Sequence, residues 1–239
     1  VDEVVWTGAL PPLAERAERV GVADTRPQSE LAEVVEAACS AGRRVMWLPP
    51  YRAEQTLRLA ELTGLPPGEV AEGMSVKLIR AVVDQRSHKD ADEIREIERA
   101  VATSVAMHEA ALRTAAPGVR ESDIAAQVEH LARAAGGRSA FPVIATVHGE
   151  TLHNHAQTAT LSEGDLFLLD SGAESELGYA GDLTTTWPVS SGLDDRQAEV
   201  FALLGQAYDA AVAGLAPGMP NREVHFAACR AIFEGMKGL

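Results

Sequence analysis

Cysteine is almost missing: Cys39 and Cys229 are the two in 239 residues. They make no C-x-x-C or other metal-ligand spacing, and two thiols cannot build a disulfide framework of the secreted kind. Both fall in alanine-rich helical stretches, where they are expected as small buried residues. So few cysteines fit a reducing, cytoplasmic setting. Aromatics are scarce too, at 5%. Basic residues number 21 against 35 acidic ones, giving a formal net charge of −14. Nucleic-acid binding needs clustered Lys and Arg, so DNA and RNA are excluded as expected partners. An anionic membrane surface is disfavoured for the same reason, and no apolar run approaches the length of a bilayer span. The acidic field favours cationic ligands.

What is present is ordinary for a globular protein: 46% hydrophobic and 23% charged residues, enough for a sizeable core in one or two domains. The sequence opens at "VDEVVWTG" without methionine and closes inside a helical pattern at "GMKGL", so a piece of a longer protein, lacking both ends, is expected. The first part alternates. "SELAEVVEAACSAG" has helical spacing and stops at Gly42; "RRVMWLPP" is a short apolar run closed by prolines and predicts a strand; "YRAEQTLRLAELTG" is helical again. This predicts part of a small α/β domain over residues 1–84, with a second domain over 85–239.

The second part repeats itself. A helix from about Asp90 to Ala115 presents Ile94, Ile97, Val101, Val105, His108 and Leu112 at steps of three and four. His108 on that stripe is expected as a core or edge histidine. "APG" at Ala116 to Gly118 precedes a helix from about Glu121 to Ala135 with Ile124, Val128 and Leu131 on one face. "FPVIATVHG" and "ETLHNHA" then read as strands. A third helix, capped by Asp194 or Asp195, leads to a second "APG" at Ala216 to Gly218 and a helix that Asn221 can cap. Helix–APG–helix thus occurs twice at an offset of one hundred residues, either an internal repeat or a coincidence of helix-stop chemistry.

Between the copies lies "LFLLDSGAESELGYAGDLTTTWPV", Leu166 to Val189, with Asp170 and Asp182 twelve positions apart. Carboxylates are poor strand residues, yet alternation lets both face one side of a hairpin, as cross-strand neighbours about 5 Å apart at Cβ. Buried like charges that close must be neutralised. A shared proton, a basic partner or a bridged pair of metal ions would do so. No Lys or Arg lies between them. Carboxylate and imidazole donors suit Mn²⁺ or Zn²⁺, and bridged ions sit about 3.5–4 Å apart. Against this, Asp170-Ser171-Gly172 is good turn chemistry, so spacing alone leaves turn capping and metal binding both open. Upstream, "TLHNHA" sets His153 and His155 at alternate positions of an extended run, facing one side. A lone histidine pair is more often surface or structural than catalytic, yet one hairpin could bring them into the same cleft.

"TLHNHA", "EGDLFLLDSGAE" and "GYAGDLTTTWPV" resemble the pita-bread metallopeptidases, the family of aminopeptidase P (Xaa-Pro aminopeptidase) and prolidase (Xaa-Pro dipeptidase), and "KDADEIREIERA" is similar to the helix that opens their catalytic domain. The resemblance covers about Ser75 to Leu239 and implies an α/β (α+β) fold: part of an amino-terminal creatinase-like domain, then the first half of a pita-bread domain. It implies two divalent ions, Mn²⁺ before Zn²⁺ or Co²⁺, held by two aspartates, a histidine and two glutamates. By match, Asp170 chelates one ion, Asp182 bridges both, His153 contacts substrate in the cleft, and Thr184 lies behind the ligands. Thr185 stands where relatives often carry arginine, and His155 has a counterpart in only some members. The remaining histidine and glutamates are expected beyond Leu239, so His225 and Glu234 are not promoted to ligands.

The implied chemistry is hydrolysis of the Xaa-Pro bond at the amino terminus of peptides by a hydroxide held between the ions, by a protein expected to be a homo-oligomer, a dimer. The chain alone is expected to be inactive. Prolidase activity on Xaa-Pro dipeptides is the alternative within the family. Creatinase shares the fold without metal and is not expected to keep both aspartates. A non-catalytic pita-bread peptide-binding module is the alternative outside enzymes, and such modules typically lose the ligands that remain here.

Overall fold

The computed structural model describes residues 4–190 and 192–238, and the chain divides into two units between His88 and Lys89. The first unit holds helices α1 (Val4–Thr7), α2 (Leu13–Glu18), α3 (Leu31–Ser40), α4 (Ala53–Thr63) and α5 (Val76–Ser87). Gly64, at φ 72°, ends α4 in the left-handed conformation that favours glycine. The Ser75 hydroxyl starts α5 by accepting from the Leu78 N–H. The strand expected at "RRVMWLPP" does not form. Residues 43–50 carry no regular structure, and Met46 and Leu48 stay exposed. A strand needs a ladder of partners; here Trp47 anchors the segment, its indole N–H donating to the Val70 carbonyl at 2.9 Å and its carbonyl accepting from the Ser75 N–H at 3.0 Å.

The second unit runs α6 (Ala91–Thr114), α7 (Glu121–Ala134), β1 (Arg138–Ser139), β2 (Ile144–Thr146), β3 (Leu166–Ser171), β4 (Ala173–Glu174), β5 (Leu183–Pro188), α8 (Asp195–Ala213) and α9 (Asn221–Met236). A reciprocal capping box starts α6: Asp90 accepts from the Asp92 and Glu93 N–H groups, and Glu93 accepts from the Asp90 N–H. The buried face of α6 differs from the expected stripe. Glu96, Ala100, Ser104, Met107, His108 and Ala111 are buried, whereas Ile94, Val105 and Leu112 are exposed. Small residues let the helix lie close to the sheet, and that proximity outweighs the larger apolar side chains on the neighbouring face. On α7 the expected Ile124 and Val128 are fully buried and Leu131 packs at the edge of the core.

β2, β3 and β5 form an antiparallel sheet with β3 in the centre, and β1 pairs with β4. The expected hairpin is present: Asp170 stands opposite Thr184 on β5 and opposite Ile144 on β2. β3 alternates. Phe167, Leu169 and Ser171 are buried on one side, and Leu166, Leu168 and Asp170 are half-buried on the other. The buried side meets α6 and α7 in a core built from Met107, Ile124, Val128, Leu161, Phe167 and Leu169 among others. Trp187 lies edge-on to Phe167, ring centres 5.2 Å apart. The strand expected at "ETLHNHA" is a turn and an unpaired segment instead, held by side chains rather than a ladder.

The two APG segments make the same turn. Gly118 has φ 91° and Gly218 φ 83°. The Val119 N–H donates to the Ala116 carbonyl at 3.1 Å, and the Met219 N–H to the Ala216 carbonyl at 3.0 Å. Each turn joins two helices that pack together, α6 with α7 and α8 with α9. The start of α8 follows expectation, with Asp194 accepting from the Gln197 N–H at 2.7 Å. Asn221 does not cap α9. It is the first helical residue, after Pro220, and makes no capping bond. Cys39 and Cys229 are exposed rather than buried, since α3 and α9 bury no residue among those described.

Gly172 sits where the two arms of the hairpin approach closely. A Cβ there would collide with the Gly181 carbonyl and stand 3.2 Å from the Cα of Asp182. Gly172→Ala is therefore expected to cost about 1–3 kcal/mol, the range for overpacking a tight contact. A urea unfolding midpoint equal to that of the unsubstituted chain would contradict this.

Candidate active site

Asp170 and Asp182 project from the face of the sheet opposite α6 and α7. Asp182 immediately precedes β5, and the register that pairs Ser171 with Leu183 places it diagonally from Asp170, not directly across. Diagonal neighbours on one face are about 7–8 Å apart at Cα, against the closer pairing that the sequence predicted. Their side chains still reach one depression of about 320 Å³, lined by Phe141, Pro142, Ile144, His153, His155, Asp170 and Asp182. His153 and His155 stack loosely, ring centres 6.4 Å apart and 24° between planes. They face the same side as expected, although the segment that carries them is not a strand.

The electrostatics of this depression are one-sided. Two carboxylates line it and, among the described residues, no lysine or arginine does. The Oδ1 of Asp170 is shielded from solvent and has no hydrogen-bond donor among the described residues. A buried carboxylate oxygen without a partner carries a large desolvation cost, and a divalent cation on the cleft side is a fitting remedy. Aspartate oxygens and imidazole nitrogens are the donor types that such ions take. Among the described residues no three His, Cys, Asp or Glu side chains gather into a ligand cluster, so Asp170 and Asp182 by themselves could fill only part of a coordination shell.

From behind, α6 braces the two aspartate arms. The Nδ1 of His108 lies 2.6 Å from the Thr185 hydroxyl, and its Nε2 lies 3.1 Å from the Ser171 carbonyl. The Nε2–H therefore donates to that carbonyl, which leaves Nδ1 to accept from Thr185. One turn earlier the buried Ser104 hydroxyl accepts from the Ala173 N–H at 2.9 Å and donates to the Ala100 carbonyl at 2.8 Å. His108 thus ties together the residue after Asp170 and the residue three beyond Asp182. The expectation of a core histidine is right in burial. Its two partners lie 63 and 77 residues away in sequence, which no local pattern could show. Thr184 sits opposite Asp170 on the cleft face, and Thr185 points to the helices. His225 and Glu234 lie on α9, in contact with Cys229 and Lys237; the depression is lined by neither.

Residues 95–239 match the profile of metallopeptidase family M24. Xaa-Pro aminopeptidase 1 of Streptomyces coelicolor is 29% identical over 96% of this chain and 45% of its own length. The structure of Pseudomonas aeruginosa aminopeptidase PepP superposes with a TM-score of 0.82 at 24% identity, covering 98% of this chain and 55% of that one. Prolidase from Pyrococcus furiosus gives a TM-score of 0.62 at 30% identity over 65% of this chain and 46% of its own. The chain spans about half the length of the relatives it matches. Among the described residues no helix is long and apolar enough to cross a membrane.

Replacing His108 by alanine leaves a buried carbonyl and a hydroxyl without their partner. His108→Ala is expected to lower stability by about 1–3 kcal/mol, the cost of orphaning the carbonyl of the buried Ser171, since the exposed Thr185 can turn its hydroxyl to water. Denaturant titration checks this, and a loss below about 0.5 kcal/mol would contradict the bracing role.

Proposed function

Since the chain belongs to metallopeptidase family M24, we propose that the whole protein is a proline-specific aminopeptidase that hydrolyses the Xaa-Pro bond at the amino terminus of peptides. The carrying observation is the buried, unpartnered Oδ1 of Asp170, a residue that lines one depression with Asp182, His153 and His155. The name of the Streptomyces relative supports the substrate class. In this reading Asp170 would hold one divalent ion and Asp182 would serve both, and the carboxylate-rich donor set would favour Mn²⁺. Such ions supply Lewis acidity toward the scissile carbonyl and make a bound water acidic enough to serve as nucleophile near neutral pH.

The chain's own residues do the remaining work. His153 donates from its ring nitrogen toward the oxygen on which charge develops, and His155, stacked beside it, narrows the approach. Phe141, Pro142 and Ile144 give the depression an apolar wall suited to a proline ring and to excluding water. The Thr184 hydroxyl, across the ladder from Asp170, helps orient that carboxylate. The acidic balance of the chain suits the cationic amino terminus of a peptide. The exposed free thiols, Cys39 and Cys229, fit a cytoplasmic setting.

In the whole protein, chelation is expected to abolish release of the first residue from Xaa-Pro-Xaa peptides, and Mn²⁺ to restore it. Asp182→Asn should bind fewer metal equivalents and lose at least 100-fold in kcat/KM, the scale on which loss of a catalytic group is felt. Unchanged stoichiometry and turnover in that variant would refute the bridging assignment. Hydrolysis confined to Xaa-Pro dipeptides would move the reading to prolidase, and peptide binding without turnover would move it to a non-catalytic module.

A further inference from the structure

Glu121 opens α7 and is 1% exposed. A buried carboxylate is rare unless both oxygens are engaged. Here each oxygen accepts from a backbone amide, Oε1 from the Val147 N–H and Oε2 from the Ala159 N–H, both at 2.9 Å. These amides belong to the two necks of the segment 148–158, which carries His153 and His155. The backbone joins in: the Glu121 N–H donates to the Ala159 carbonyl at 3.0 Å, Arg120 bridges Thr160, and the Leu161 N–H donates to the Val119 carbonyl at 2.8 Å. A second pin holds the tip. The fully buried Thr146 hydroxyl accepts from the Asn154 side-chain amide at 3.2 Å, and Asn154 lies between the two histidines. Thr146 belongs to β2, whose Ile144 pairs with Asp170.

We propose that Glu121 is the positioning residue of the histidine segment: its carboxylate clamps both necks and so holds His153 and His155 over the depression that Asp170 and Asp182 line. Two amides point inward at the necks, and one group with two acceptor oxygens satisfies both. A glutamine of the same shape supplies one acceptor and turns an NH₂ toward the other amide, so one neck is released. The effect on catalysis rests on the reading of His153 given above; the hold on the segment does not.

The test is amide hydrogen exchange on the whole protein that carries this chain. In the unsubstituted protein the Val147 and Ala159 amides should be protected at least tenfold more than those of residues 150–153 between them; equal exchange would overturn the clamp without any variant. In Glu121→Gln, exchange across 147–159 should rise at least tenfold while β3 keeps its protection. The core substitution Val128→Ala, on the same helix, should raise exchange evenly and leave kcat/KM within twofold. Glu121→Gln should lower kcat/KM at least tenfold with metal content unchanged. An unaltered segment in Glu121→Gln, or an opened one with full kcat/KM where His153→Ala is impaired, would overturn the positioning role. Full activity in His153→Ala would instead remove the reading of that histidine, and the exchange data would still decide the clamp.

Discussion

Everything at this site depends on the two-residue alternation of β3. The strand lies between two neighbours, so its backbone is paired on both sides and its side chains have only two directions. One direction is closed by α6 and α7 and takes Phe167, Leu169 and Ser171. The other is left for Asp170. A slip of one residue would bury the carboxylate among Met107 and Ile124 and turn Leu169 into the depression. The apolar core therefore fixes where the carboxylate points, and folding energy and site geometry are specified by the same residues.

Polar contacts then lock what the core has oriented. Ser104 and His108 reach through the helix–sheet contact to backbone atoms on either side of Gly172, where the two arms approach closely. Glu121 does the equivalent for the neighbouring loop. Each is a buried polar side chain that satisfies backbone groups far along the chain, so each ties a strand or the loop to the helices. The depression is bounded by a strand, a strand entrance and a loop, and all three are held from the α6–α7 side.

Much of this was legible in the sequence wherever the signal is local. Helical periodicity and Asp90 marked α6; the apolar runs around Asp170 and Asp182 marked the hairpin; the two APG tripeptides marked matching helix pairs with glycines of matching conformation. What could not be read depends on partners far along the chain. The buried stripe of α6 is set by how closely it lies on the sheet, so Ala100 and Ser104 go inside while Val105 stays out. The histidine segment reads as a strand because its residues alternate, yet Glu121 and Thr146 hold it from 26 to 38 and from 8 residues away. The diagonal placement of the aspartates follows from a register that the eleven intervening residues do not announce.

Trp187 gives the second unit an optical handle. It is the unit's only tryptophan; the other two, Trp6 and Trp47, precede Lys89. Its indole stands edge-on to Phe167, on the strand that begins beside Asp182, with its ring nitrogen buried and without an acceptor among the described residues. Fluorescence from an indole so placed responds to polarity and ring contacts in the sheet itself, so the chain carries an intrinsic probe a few residues from its acidic pair, readable without any label.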